Sequence, residues 1–235
     1  GNVWFAETNT GNLGKFDPTT ETFTEYDNPT WPNGARSMMW GIDYSPDGSV
    51  WFTDESYDSV WTFSTLDEKY TRINYPTEND SLPQKLLVDG SKIIINDFTG
   101  NKLTLLDPNQ SGEEINYLSI PSPIDNSVTA GFAVDAKDNI WFTNWLFQQG
   151  GVLVKFDQNG YLDSVASSNE QSLPLLDHVE IYELPTTLLT PNGAAVSSDG
   201  TIWLADTTSS SFFNFNPITE KFIQYVTADP ALNTY

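Results

Sequence analysis

The stretch GSVWFTDE (residues 48–55) returns four more times along the chain, and this repetition decides the fold. The other copies are GNVWFAET (1–8), SKIIINDF (91–98), DNIWFTNW (138–145) and DGTIWLADT (199–207). Each copy reads as one short apolar strand that ends in a polar or acidic residue. Strand-rich units that recur every 40 to 50 residues or so are typical of β-propeller blades.

One polar residue closes each copy, and we call these five positions the strand-end residues. They are Glu7, Asp54, Asp97, Asn144 and Asp206, spaced by 47, 43, 47 and 62 residues. Around each copy the sequence predicts four short strands, with Asp-Gly or Asp-Asn pairs providing the positive φ angles of tight hairpins. We therefore predict an all-β fold, a β-propeller of four-stranded antiparallel blades. A solenoid or a plain sandwich is the alternative, because repeats alone do not fix closure.

Five blade units follow from this alignment, and the first lacks its opening strand. The units are residues 1–30, 32–77, 82–123, 128–186 and 189–235. Gly1 aligns with the hairpin glycine Gly48, so we expect a segment of a longer propeller. The C-terminal stretch TADPALNTY (227–235) contains Pro230 and no alternating apolar pattern, which makes it a poor candidate for the missing strand.

The blade pattern also predicts how the strands pack. Opening strands crowd around a propeller axis, which explains small residues such as Gly41, Gly131 and Ala194. Second strands lie between neighbouring blades, so Trp51, Trp141 and Trp203 are predicted to be core residues. The fourth unit is longer than the others, and its extra residues, about 163–178, are predicted to form a rim loop, either passive or in contact with a partner. The blades as a whole are predicted to contain negligible helix, below about 15%.

Composition excludes several classes of function. Ten Lys and Arg stand against 32 Asp and Glu, a formal net charge of -22, which argues against binding to nucleic acid or anionic lipid. The absence of cysteine excludes disulfides, thiolate zinc sites and a catalytic thiol. The sequence has no apolar run long enough to insert into a membrane. The sequons at Asn79 and Asn109 and the acidic composition lead us to expect an extracellular or cell-surface location.

The blades resemble those of the virginiamycin B lyase family, the streptogramin-inactivating propellers. The resemblance rests on GKFDPTTETFTEYDNP (14–29), WGIDYSPDGSVWFTDE (40–55) and PNGAAVSSDGTIWLAD (191–206). It implies seven blades and, in the lyases, a magnesium ion with a histidine 14 residues before a strand-end glutamate. Here the positions matching that histidine hold Trp40, Ala130 and Asn192, and the single histidine, His178, lies in the fourth-unit insertion. The same blade occurs in lyases, lactonase-like hydrolases and binding proteins, so it specifies architecture better than activity.

The strand-end residues are the candidate site. Equivalent strand ends should emerge on one face near the axis, where oxygen ligands suit Ca²⁺ or Mg²⁺. Gluconolactonase-like propellers use Glu, Asn and Asp in this way, which draws attention to Glu7, Asn144 and Asp206. The alternative is that each side chain caps the backbone of its own loop. For a structural or cation site, we expect Asp54→Asn to lower stability or divalent-ion affinity and to leave turnover unchanged.

These observations favour a non-catalytic extracytoplasmic module for binding or assembly, without catalytic residues. Its partner would be a protein or a small-molecule ligand on a face or rim of the propeller. The alternative is a metal-dependent lyase or lactonase that acts on a cyclic ester.

Overall fold

The computed structural model describes residues 1–31, 38–75, 81–107, 117–147, 149–168 and 175–227. They form five antiparallel sheets, of which four have four strands and the first has three. The predicted blades, with an incomplete first one, are thus confirmed. The sequon residues Asn79 and Asn109 and residues 228–235 lie outside the described residues, so their assignments stay predictions. In the described part of the chain, no helix is long and apolar enough to cross a membrane.

The first three blades follow the chain order within each sheet. Blade 1 consists of β1 (Val3–Glu7), β2 (Asn12–Asp17) and β3 (Thr22–Tyr26). Blade 2 consists of β4 (Ile42–Tyr44), β5 (Ser49–Asp54), β6 (Ser59–Ser64) and β7 (Lys69–Asn74). Blade 3 consists of β8 (Pro83–Asp89), β9 (Lys92–Asp97), β10 (Lys102–Leu106) and β11 (Tyr117–Pro121).

The last two blades have the same order. Blade 4 consists of β12 (Val128–Val134), β13 (Asn139–Leu146), β14 (Gly150–Asp157) and β15 (Val179–Glu183). Blade 5 consists of β16 (Pro191–Val196), β17 (Ile202–Asp206), β18 (Ser211–Asn216) and β19 (Lys221–Val226). The chain divides into two compact units, Gly1–Ser119 and Ile120–Tyr235.

The alternation of side chains along each second strand builds the core between neighbouring blades. In the first unit, Trp51 of β5 packs with Ile93 and Ile95 of β9, while Phe52 points the other way and packs with Leu13 of blade 1. In the second unit, Trp141 of β13 packs with Leu204 and Phe213 of blade 5. Because successive residues of a strand point to opposite faces, the apolar VWF motif packs against both neighbours at once.

The predicted core tryptophans are confirmed at Trp51 and Trp141, which are almost fully buried. Trp203 is only partly buried, and its ring lies 5.3 Å from that of Tyr225 in the outer strand of the same blade. Successive residues of a strand point to opposite faces of the sheet. Leu204 points toward blade 4 and packs with it, so the side chain of Trp203 points to the opposite face of blade 5.

The insertion in blade 4 is not the plain rim loop that the sequence predicts. The helix α1 (Gln158–Ser167) begins directly after β14, and a short 3₁₀ turn spans Leu175–His178. The helix is short, so the low helix content predicted for the blades holds, and the helix forms for a local and a tertiary reason. The Asp157 carboxylate caps the helix by accepting from the Gly160 N–H at 2.9 Å, and the buried ring of Tyr161 packs between Phe156 and His178.

Candidate functional site

The strand-end residues lie where the sequence places them, at or near the ends of β1, β5, β9, β13 and β17. Asp54, Asp97, Asn144 and Asp206 are completely buried. Glu7 is partly exposed, and its carboxylate accepts a hydrogen bond from the Thr10 hydroxyl at 3.1 Å. Four buried polar groups at equivalent positions must each be hydrogen-bonded, because an unpaired buried carboxylate is costly.

Asp206 binds the backbone that leads into its own blade. Its Oδ2 accepts from the N–H of Leu189 at 2.8 Å and from the hydroxyl of Ser209 at 2.7 Å. Its Oδ1 accepts from the N–H and hydroxyl of Thr190 at 3.1 and 2.9 Å, and from the N–H of Thr208 at 2.9 Å. Burial on its own would raise the pKa of Asp206, but these donors outweigh it and hold the pKa below its usual range.

Asp97 repeats this arrangement in blade 3. Its Oδ1 accepts from the N–H of Leu82 at 2.8 Å and of Gly100 at 2.9 Å, and its Oδ2 accepts from the hydroxyl of Ser81 at 2.6 Å. The bonds from Ser81 and Leu82 join the end of the second strand to the residues that precede the first strand. Space is also tight here, since a Cβ on Gly100 would lie 2.1 Å from Oδ2 of Asp97.

Asn144 performs the same task in blade 4 with an amide. Its Oδ1 accepts from the N–H of Ile124 at 3.1 Å, and its Nδ2 donates to the carbonyl of Val128 at 3.1 Å and to the hydroxyl of Ser127. An amide fits at this position because its oxygen accepts a hydrogen bond and its NH₂ group donates to two acceptors. The carboxylates of Asp97 and Asp206 only accept hydrogen bonds. The asparagine in the fourth repeat is thus explained by its hydrogen-bond partners.

Asp54 differs from its counterparts. Its Oδ1 accepts from the N–H of Ser56 at 3.1 Å, as the cap of a short 3₁₀ turn, and Ser59 Oγ lies 3.4 Å from its Oδ2. Burial raises the pKa of Asp54, and the Ser56 N–H and the nearby Arg72 offset this only in part. Among the buried strand-end carboxylates, Asp54 and Asp206 therefore have pKa shifts of opposite sign.

These contacts favour the capping alternative over a shared metal site. Among the residues that the structure describes, no three His, Asp or Glu side chains lie close enough together to hold a metal ion. The oxygens of Asp97 and Asp206 already accept several hydrogen bonds, so they do not fit a site that needs free oxygen ligands. Bound Ca²⁺ or Mg²⁺ stays a prediction from the sequence, without support from this geometry.

The lyase-type histidine positions carry no group suited to proton transfer. Trp40 is exposed, Ala130 is buried, and the side-chain nitrogen of Asn192 donates to the hydroxyl of Thr207 at 3.2 Å. His178 packs edge-on against Tyr161, with the ring centroids 5.5 Å apart. At these positions the structure therefore shows an exposed tryptophan, a buried alanine and a hydrogen-bonded asparagine.

Two threonines that the sequence analysis did not single out connect neighbouring blades. Thr143 Oγ1 accepts from the N–H of Gly131 at 3.0 Å and donates to the carbonyl of Pro191, at the start of blade 5, at 2.7 Å. Thr53 makes the same pair of bonds to Gly41 and to the carbonyl of Gln84 in blade 3. A polar residue within an otherwise apolar, buried strand is the signal that reveals this role.

We expect Thr143→Val to destabilise the fold by about 1–3 kcal/mol, because the shape is kept while a buried N–H and a buried carbonyl lose their partner. Chemical denaturation followed by tryptophan fluorescence measures the change. The control is Thr71→Val on the exposed strand β7, where we expect a change within about 0.5 kcal/mol. Equal effects of the two substitutions would contradict the role given to Thr143.

Comparison with known proteins supports the architecture. No protein-family model matches the chain, and no curated protein matches it by sequence. Among solved structures, a streptogramin B lyase superposes with a TM-score of 0.74 at 19% identity, over 98% of this chain and 66% of the other. The virginiamycin B lyase from Staphylococcus aureus gives 0.72 at 16% identity, over 98% and 68%. The fold is a β-propeller of the streptogramin-lyase type.

The same fold likeness extends to proteins with other names. A luciferin-regenerating enzyme superposes with a TM-score of 0.53 at 14% identity, over 80% of this chain and 59% of the other. This chain spans about two thirds of the length of the streptogramin B lyase that it matches. Identities this low establish the fold and leave activity to be argued from the site.

Proposed function

We propose that the chain is a non-catalytic module for binding or assembly that acts outside the cytoplasm. One observation carries the proposal: the strand-end residues, which the resemblance would make the reactive positions, act on the backbone of their own blades. Asp97, Asn144 and Asp206 each accept from an N–H in the segment before the first strand of their blade. Groups committed in this way hold the loops in place rather than contact a substrate.

The pKa of Asp206 supports the same conclusion. Several donors stabilise its charged form, so it stays ionised and is a weak proton acceptor at neutral pH. A general base for opening a cyclic ester works best with a pKa near the working pH, which imidazole provides. The chain has one histidine, and that residue packs against Tyr161 in the blade 4 insertion.

Asp54 favours the second candidate, a metal-dependent lyase or lactonase that acts on a cyclic ester. A buried carboxyl group with a raised pKa is the kind of group that transfers protons in active sites. Its short list of hydrogen-bond partners distinguishes it from Asp206. We rank this candidate second because burial in a packed blade raises a carboxyl pKa without any catalytic role.

Turnover assays separate the two candidates. The protein would be incubated with a streptogramin B antibiotic and, separately, with a sugar lactone, each with Mg²⁺, Ca²⁺ or EDTA, and opening of the ester would be followed by mass spectrometry. We expect no turnover under any of these conditions. Turnover that Asp54→Asn abolishes, while the control Asp47→Asn in an exposed turn keeps it, would establish the enzyme instead.

Thermal melts test the cation part of the hypothesis. We expect the same melting temperature in Ca²⁺, Mg²⁺ and EDTA at matched ionic strength, because the oxygens of Asp97 and Asp206 are used by the backbone. A ligand at about 100 times its dissociation constant would add about 2.7 kcal/mol of stability. An upward shift of the melting temperature that is specific to one cation and absent in Asp206→Asn would therefore support a metal site at the strand-end residues.

A further inference from the structure

A groove of about 540 Å³ lies between blades 4 and 5, and we call it the second-unit groove. The turn between β12 and β13 (residues 135–138) and the turn between β16 and β17 (residues 197–200) contribute to its lining. The equivalent first-unit groove, between the same turns of blades 2 and 3, is about half as large, at about 280 Å³. Ligand pockets usually have volumes of about 300–1,000 Å³, so the second-unit groove is the one large enough for a small molecule.

Asp135 holds one side of the second-unit groove in place. Its Oδ1 accepts from the backbone N–H groups of Lys137 and Asn139 at 2.8 and 3.0 Å. Its Oδ2 accepts from the side-chain amide of Asn139 and from the indole N–H of Trp141, both at 2.9 Å. Burial on its own would raise the pKa of Asp135, but these donors outweigh it and hold the pKa below its usual range. This side of the groove is therefore a fixed, ionised carboxylate.

Lys137 differs from the residues at the same position in other turns. The equivalent residues of blades 2 and 5 are Asp47 and Asp199, and each accepts from the backbone N–H two residues later, at 2.9 and 3.0 Å. In blade 4 the carboxylate of Asp135 takes over this bond, so the turn needs nothing from the side chain of Lys137. That side chain is exposed and lines the groove, and its amine makes no hydrogen bond or ion pair with the residues that the structure describes.

Two carboxylates in the lining keep one oxygen available. Oδ1 of Asp157 accepts from the N–H of Gly160 at 2.9 Å. Oδ1 of Asp199 accepts from the N–H and the hydroxyl of Thr201 at 3.0 and 2.8 Å. Within the described part of the chain, Oδ2 of neither carboxylate accepts a hydrogen bond. The groove thus presents one ammonium donor and two positioned carboxylate acceptors with unused bonding capacity.

We propose that the second-unit groove binds a neutral sugar through adjacent hydroxyl groups. The proposal rests on the function proposed above, because it gives the binding module a site and a class of ligand. An anion would be repelled by the carboxylates of Asp157 and Asp199. A cation would be repelled by the ammonium groups of Lys137 and Lys155. A sugar hydroxyl both donates and accepts, so neighbouring hydroxyls can pair with an ammonium and a carboxylate at once.

The rim of the groove favours a sugar over a dipolar ligand such as an amino acid. Pro217 and Ile218 place apolar surface beside the polar groups, and Ile218 is 92% exposed. The C–H face of a sugar ring would cover this surface and remove it from water. A dipolar ligand would have to bring two full charges into the groove, and charged groups lose more hydration free energy on burial than hydroxyl groups do.

Titrations of the isotope-labelled protein with glucose, galactose, maltose and lactose, followed by nuclear magnetic resonance, test the proposal. The indole N–H of Trp141 is the local signal, because it donates to Asp135 beside the groove, and Trp141→Phe assigns it. We expect this signal and the amide signals of Lys137 and Asp199 to shift saturably. At least one of the sugars should have a dissociation constant of about 1 mM or tighter.

Lys137→Ala and Asp199→Asn should each weaken sugar binding at least about tenfold, because each removes a charged partner of a hydroxyl. Lys69→Ala is the control for the first variant, since Lys69 on β7 is exposed like Lys137. Asp47→Asn is the control for the second, since Asp47 makes the same turn bond but lies in the smaller first-unit groove. We expect neither control to change binding, and a thermal melt of each variant checks that it is folded.

Three results would overturn the proposal. They are a dissociation constant far above about 1 mM for every sugar, equal effects of the variants and their controls, and tighter binding of glucuronate or diglycine than of the neutral sugars. The last would make a charged or dipolar ligand the occupant. Failure of sugar binding leaves the turnover assays unaffected, and turnover abolished by Asp54→Asn would overturn the proposed function without bearing on the groove, so the two failures are distinguishable.

Discussion

Gly131→Ala is expected to destabilise the protein by about 3 kcal/mol. The added Cβ would lie 2.7 Å from the carbonyl carbon of Gly193 and 2.9 Å from the nitrogen of Ala194. Both are backbone atoms of β16, which is held by its own hydrogen bonds to β17 and by the bond from Thr143 to Pro191. Neither side can give way without loss of these bonds, so the cost exceeds that of ordinary overpacking at a side-chain contact.

Gly193→Ala is the matched control, because Gly193 occupies the same position in the fifth repeat. A Cβ there would meet the Ala205 side chain of its own blade at 3.1 Å and no backbone atom closer than 3.9 Å. We expect a change of about 1 kcal/mol or less. Denaturant midpoints of the two variants measure the difference, and a Gly193→Ala effect as large as that of Gly131→Ala would refute the close approach of β12 and β16.

The blade architecture could be predicted from the sequence because short local patterns specify its strands and turns, and these patterns recur in every blade. The alternating VWF strands, the Asp-Gly turns and the polar strand ends together fix which residues pair. The small residue at Gly131 was expected from crowding near an axis, and the structure adds the atoms that it approaches. The partial exposure of Trp203 follows from which face of blade 5 packs against blade 4, a tertiary contact that no local pattern predicts.

The helix α1 shows where local patterns fail. Its sequence QNGYLDSVAS has little apolar periodicity, so it reads as a loop. The cap at Asp157 and the burial of Tyr161 against Phe156 and His178 decide the outcome. Asp157 is a residue type that commonly caps helices, but the contact of Tyr161 with His178 joins residues that are distant in sequence, and no local pattern predicts it.

The strand-end residues were located by repetition, but their chemistry was not. Alignment of the repeats makes Asp54 and Asp206 equivalent and predicts the same role for both. Their differences arise from the loops around them: Asp206 meets the N–H groups of Leu189, Thr190 and Thr208, whereas Asp54 meets that of Ser56. The contact to the segment before the first strand recurs in blades 3, 4 and 5 but not at Asp54, so repetition of the strand motif does not reveal which loop departs from the arrangement.

Asp206→Asn is expected to destabilise the fold by about 3 kcal/mol at pH 7. Both carboxylate oxygens of Asp206 accept hydrogen bonds, and the amide NH₂ of Asn would face donors in place of one of them. Bonds to a charged acceptor contribute about 1.5–3 kcal/mol each, and a buried donor left unpaired adds to the loss. Glu7→Gln, at the partly exposed equivalent position, is the control, with an expected change within about 0.5 kcal/mol.

The pH dependence of stability follows from the same contacts. Because the pKa of Asp206 is lower in the folded than in the unfolded protein, its contribution is full above the unfolded value of about 3.9 and is lost as the pH falls through the folded pKa. Asp206→Asn should therefore lose most stability at neutral pH and approach the wild type in strong acid. Denaturant titrations at pH 7, 4 and 3 measure this convergence, and a constant difference at every pH would contradict it.

Asp54→Asn should behave in the opposite way, against the expectation from sequence that it lowers stability. Burial raises the folded pKa of Asp54, so its ionised form costs stability at neutral pH, and the cost is relieved as the pH falls toward the unfolded value. The amide removes the charge, keeps an oxygen for the Ser56 N–H and fits the same space. We expect equal or greater stability than the wild type at pH 7, and a loss as large as that of Asp206→Asn would show that Asp54 is held by contacts like those of Asp206.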